Sequence, residues 1–196
     1  MQNKLFVMSL LSSTVLLAAC GGSGDGNNGS AANSNRSTGS TAQTGTTPTA
    51  PFSCPADYRR ISLSNNSVIA NVSLNIRSDD GIATLTVKTP ADGKTGDLII
   101  CLGKPDPVPA GVTANYVYEV KSSGDLSVMA SSTLTLNFAS DVVPDPNPPV
   151  IEFADVTNGS VVYKPLVQGA SFAGAPNYTL AANAQVPGLY VVRLTK

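Results

Sequence analysis

The sequence predicts an all-β fold, an antiparallel β-sandwich of about seven to nine strands over residues 52–196. Three observations carry this. Apolar residues recur with period two in short runs. Clusters of Gly, Pro, Asn and Asp separate those runs. No stretch keeps a helical apolar period over a useful length. Many short strands joined by Gly/Pro-rich turns belong to sandwiches and barrels.

The elements follow in order. Arg59 to Leu63 reads as a first strand. Val68, Ala70, Val72, Leu74 and Ile76 alternate with Ile69, Asn71, Ser73, Asn75 and Arg77, so one face meets a core and the other mostly water. Ser78-Asp79-Asp80-Gly81 is a turn, and Ala83, Leu85 and Val87 resume the alternation, which predicts an antiparallel hairpin. After the turn residues 90–96, Leu98 to Leu102 is a continuous apolar run, as expected of a strand covered on both faces. Pro105, Pro107 and Pro109 make an extended connection that cannot sit inside a sheet. Tyr116, Tyr118 and Val120 share a face of the next strand. Leu126 and Val128, then Leu134, Leu136 and Phe138, alternate along one long strand or two short ones. The proline cluster of residues 143–149 is an extended crossover within one domain, because the segment after it is small to form a core alone. Val150 to Phe153 and Val161 to Leu166 flank Asn158-Gly159, a short hairpin signal. Pro187-Gly188-Leu189-Tyr190-Val191-Val192-Arg193-Leu194 ends the chain as a last strand. These eight residues resemble the closing strands of immunoglobulin-like bacterial surface modules, which makes an immunoglobulin-like sandwich the expected version of the fold.

The N-terminal part is different in kind. Lys4 precedes an apolar run from Leu5 to Leu17, and Leu17-Ala18-Ala19-Cys20 closes it. A basic start, an apolar core and small residues before a cleavage point make a secretory signal. The cysteine directly after the small residues resembles the lipobox of bacterial lipoproteins. That resemblance implies a signal peptide over 1–19, cleavage before Cys20, and acylation of Cys20 by palmitate-like chains on its sulfur and new amino terminus. Several chains on one residue give stable anchoring where one gives marginal binding. An aspartate after the cysteine often marks inner-membrane retention in Gram-negative members. Gly21 stands there instead, so the resemblance implies the outer membrane. The alternatives are an ordinary secretory signal with an incidental cysteine, or a transmembrane helix. The apolar run is short for a span and carries Ser9, Ser12, Ser13 and Thr14.

Residues 20–51 hold almost no bulky apolar side chain, so they cannot bury enough surface to offset ordering entropy. They read as a flexible Gly/Ser/Thr/Asn-rich linker, roughly 30 Å end to end as a coil, that holds the domain off a membrane. A partner-binding or glycan-bearing segment is the sharper alternative. With Cys20 given to lipid, Cys54 and Cys101 remain, an even number in an oxidising compartment, and a Cys54–Cys101 disulfide is expected. Free buried thiols or part of a metal site are the alternatives. Two cysteines without histidine make a poor zinc site.

Chemistry is sparse. Histidine is absent, which removes Ser-His-Asp and Cys-His nucleophile systems. No Ser-x-x-Lys occurs. Gly93-Lys94-Thr95 ends like a phosphate loop, but Lys88 stands where the first glycine is needed, so a solvated turn is expected. Glu119 and Glu152, the only glutamates, are expected as solvated charges on outward strand positions, with a carboxylate-pair glycoside hydrolase as the enzyme reading. Asp79, Asp80, Asp141, Asp145 and Asp155 lie in or beside turns and are the calcium candidates. Turn chemistry alone accounts for aspartate there, so neither metal nor cofactor is expected. Tyr116 and Tyr118 form either a sugar-stacking pair or a core pair. A net charge of −1 with 13% charged residues offers no basic patch for nucleic acid. The resulting expectation is a membrane-tethered, non-catalytic binding or structural module of the cell envelope. Its partner would be an envelope protein or surface polymer, with accessory-subunit and adhesin-like versions. A small-ligand carrier would need a closed barrel with an apolar cavity.

Overall fold

A computed structural model describes residues 51–64, 68–145 and 147–195. The signal segment 1–19, Cys20 and the linker as far as residue 50 lie outside the described residues. The strands are β1 Arg59–Leu63, β2 Ser73–Arg77, β3 Ala83–Lys88, β4 Leu98–Gly103, β5 Tyr116–Ser122 and β6 Ser131–Ala139, then β7 Ile151–Thr157, β8 Ser160–Pro165, β9 Phe172–Gly174, β10 Asn177–Asn183 and β11 Gly188–Val192. They form two antiparallel sheets stacked as a sandwich. One has six strands in the order β1-β4-β5-β11-β7-β8, the other five in the order β2-β3-β6-β10-β9.

Eleven strands stand where about seven to nine were expected. The additions are β9 and β10. Residues 167–186 mix Gly, Ala, Asn and Pro with few large side chains, which masks the alternation of Tyr178, Leu180 and Ala182. Two other elements differ. β2 begins at Ser73, not Val68, because the chain turns at Ala70-Asn71, with Asn71 in the left-handed region at φ 58. The Thr89 hydroxyl secures that turn by accepting from the Val72 amide at 2.9 Å and donating to the Ile69 carbonyl at 2.6 Å. Leu126–Val128 is a 3-10 turn, capped by the Asp125 carboxylate, which accepts from the Ser127 amide at 2.8 Å. The hairpins β2–β3 and β7–β8 form as the turn residues predict.

The main core lies between the sheets. Leu85, Ile100, Leu102, Tyr118, Leu134, Leu136, Ile151 and Leu180 are buried there. A second, smaller cluster of Val117, Ala154, Leu189 and Val191 sits on the outer face of the six-stranded sheet. Val112 and Ala114 of the proline-rich connection pack over it. This cover explains why β11 reads as an unbroken apolar run, since its outer Leu189 and Val191 are also dry; on β4 the outer Cys101 is instead taken up by the disulfide with Cys54. Pro48–Lys196 is one compact unit, and the proline-rich crossover joins β6 of one sheet to β7 of the other. There the Asp145 amide donates to the Leu194 carbonyl at 2.6 Å.

Cys54 and Cys101 are joined in a disulfide with Cα atoms 5.9 Å apart. It ties the segment before β1 to the buried centre of β4. Two residues after Cys101 the strand reaches Gly103. A Cβ at Gly103 would collide with the Tyr58 ring, which lies on the bare backbone and is itself buried.

Candidate binding site

The polar residues singled out by sequence do not assemble into one site. Asp79 pairs with Arg59 on the surface. The Asp80 carboxylate accepts from the Ser78 hydroxyl at 2.6 Å, the Tyr118 hydroxyl at 2.6 Å and the Ile82 amide at 3.1 Å. It thereby ties the β2–β3 turn to β5 of the opposite sheet. Burial opposes the charge on Asp80, but these hydrogen bonds outweigh it and hold the carboxyl below its ordinary range. Asp155 takes Lys164 Nζ at 2.6 Å and the Thr157 hydroxyl at 3.1 Å, and Lys164 in turn lowers its pKa. Asp141 and Asp145 are exposed beyond the end of β6. Among the described residues no group of three acidic, histidine or cysteine side chains is placed to hold a metal ion.

The two glutamates are not the solvated charges expected. Glu152 is 1% exposed and receives two hydrogen bonds from Arg193, at 2.7 and 2.9 Å. The guanidinium lies 3.9 Å over the Tyr163 ring. Glu119 accepts from the Tyr58 hydroxyl at 2.6 Å and pairs with Lys121 at 3.3 Å. Burial first, and then this bond to Glu119, push the Tyr58 hydroxyl far above its usual pKa. Both glutamates do point away from the main core, as period two demands. That outer face is itself roofed by the 104–115 connection, where the Thr113 amide donates to the Tyr163 hydroxyl at 2.7 Å. Tyr116 and Tyr118 face the core. Tyr118 is 1% exposed, and Tyr116 packs on Phe138 with ring centres 4.2 Å apart, so the pair is no exposed sugar platform.

A concave feature among the described residues lies elsewhere. β8 has six residues, but β9, at the matching edge of the other sheet, has three. The inner face of β7–β8 near its turn is therefore left uncovered, and Val162, across from Asp155, is exposed there. The chain then crosses between sheets at residues 166–169. Gln168 holds this crossing: it accepts from the Ile151 amide at 3.2 Å and donates to the carbonyls of Leu166 at 2.7 Å and Ile151 at 3.2 Å. The Gly169 amide donates to the Ala181 carbonyl at 2.7 Å.

Below the crossing opens a cleft of about 760 Å³. Its floor is Phe153 and Tyr190, edge to face with centres 5.5 Å apart. Gly188 makes room for the Phe153 ring. At φ 149 it adopts a backbone few other residues accept, and a Cβ there would lie 2.6 Å from the ring. The Tyr190 hydroxyl donates to the Val186 carbonyl, and burial raises its pKa to about 12. Leu166 and Ala182 form the walls, and Val167 and Val186, 87% and 60% exposed, form the mouth. The polar groups around it are mostly engaged with one another. Lys164 pairs with Asp155, the Asn183 amide group donates to Gln185 at 3.2 Å, and the Gln185 backbone amide donates to Asn183 at 3.0 Å. Such a cleft can bind apolar matter, and its lining offers no nucleophile–base pair. Sequence reasoning passed over this site, because the alternation of β10 is masked by alanines and the cleft arises from the unequal lengths of β8 and β9.

Compared with protein-family models, curated proteins and solved structures, the chain matches none.

Proposed function

We propose that this is a lipid-anchored cell-envelope protein of the Gram-negative outer membrane, whose β-sandwich serves as a non-catalytic binding module. The observation that carries the anchor is the order Lys4, apolar run, Leu17-Ala18-Ala19-Cys20, with a Gly/Ser-rich linker directly after it. The disulfide fits export to an oxidising compartment. The binding role is supported by the cleft with its aromatic floor and two exposed valines at its mouth, a concave and largely apolar feature of the size that small-molecule sites have. Partners of this reading are the membrane through Cys20 and an envelope protein or polymer through the domain.

Expression of the full chain and of a Cys20→Ser form in a Gram-negative host, with an alkyne analogue of palmitate, tests the anchor. Label and membrane fractionation are expected for the native chain alone. A native chain that stays unlabelled and soluble would remove the anchor from the reading. In-cell crosslinking of the same pair tests the module, with one envelope partner captured from the anchored form as the expected result.

A further inference from the structure

The cleft over Phe153 and Tyr190 admits a narrower assignment. We infer that it takes one unbranched acyl chain carried on an uncharged head, the chemistry of a neutral single-chain lipid. The inference rests on the binding-module reading and not on the anchor.

Four features point the same way. The floor is aromatic and the walls and mouth are aliphatic, so buried hydrocarbon supplies the affinity. Charge at the rim cancels: Lys164, the one ionised group of the lining, is spent on Asp155, so a charged head finds no partner. The volume lies in the range of small-molecule sites. A peptide strand is poorly served. The adjacent edge, β8, ends in Lys164-Pro165, the residue types that blunt strand addition, and the crossing at 166–169 closes the side above it.

Isothermal calorimetry of the mature-length chain carrying Cys20→Ser, titrated with monoacylglycerols of rising chain length below their aggregation limit, tests this. The expected result is one-to-one binding that tightens about fourfold per added methylene until the cleft is full. Val167→Asp with Val186→Asp should weaken binding by about tenfold or more, with the melting temperature unchanged because both valines are exposed. Val143→Asp, at an exposed valine that does not line the cleft, should leave binding as it was. Absence of saturable binding, or binding indifferent to the Val167 and Val186 changes, overturns the inference. So does clear preference for the matching alkanoate, which would make the ligand an anion. A dimer in sedimentation that the same two changes dissolve would make a second copy the occupant and overturn it too. A chain that is palmitate-labelled and captures a partner in cells, yet binds no monoacylglycerol, sinks this inference alone.

Discussion

At the scale of single residues, the fold depends on where side chains are missing as much as on where they pack. Gly103 ends β4 under the Tyr58 ring, so any side chain there must displace a buried aromatic. Gly103→Ala is expected to cost about 2 kcal/mol in urea unfolding. Adding Tyr58→Ala should cost less than the two single changes summed, because both act on one contact. Asp80 makes a different demand. Its hydrogen bonds from Ser78 and Tyr118 outweigh the burial that opposes its charge, so its folded pKa lies below the unfolded one. The stabilisation is therefore complete above the ordinary carboxylate range and is lost as pH falls through the lowered value. Asp80→Asn should destabilise by about 1 kcal/mol at neutral pH, a figure kept small because the carboxylate is only partly buried and water screens it. The gap to the native chain should close in strong acid, which paired urea melts would measure. At this scale the sequence read poorly for Glu152. Its outward direction was legible from Ile151 and Phe153 on either side. Its burial was not, because the Arg193 guanidinium bonded to it, and the Tyr163 ring under that guanidinium, come from distant parts of the sequence.

At the scale of elements, hairpins were legible and mismatched edges were not. Asn158 at φ 52 and Gly159 at φ 78 form the two-residue turn between Thr157 and Ser160, the backbone that Asn-Gly favours. A Cβ at Gly159 meets nothing within 4 Å, so Gly159→Ala tests conformation alone. It should cost about 1 kcal/mol and lower Tm by about 3 °C in calorimetry. An unchanged Tm would mean that the turn readily adopts another form. The alternation of Leu85 and Val87, or of Leu134 and Leu136, announces a strand because every second residue is large and dry. β10 alternates in the same way, but with alanines at Ala181 and Ala182, and alanine carries little directional information. The cleft was out of reach for a related reason. It arises from the unequal lengths of β8 and β9, and no single residue reports the difference between two strands.

At the scale of the molecule, one covalent link closes a large loop that holds β1, β2 and β3 and so takes in strands of both sheets. Cys54 and Cys101 are 47 residues apart, and the chain-entropy model gives about 4 kcal/mol for a loop of that size. Cys54→Ser should lose about that much in calorimetry, and the native protein under reductant should match it. A reductant-insensitive native Tm would mean that the bridge adds little to stability. The same link also decides how the domain answers a pull. A pull applied from the N-terminal side of Cys54 passes through sulfur to Cys101, bypassing β1. Without the bond, traction would fall on Arg59 and peel an edge strand one hydrogen bond at a time. With it, the force is delivered to β4, an interior strand with β1 on one side and β5 on the other, so two ladders must shear together before the sheet gives way. A pull on the N-terminal segment would thus tug on the sandwich at an interior strand.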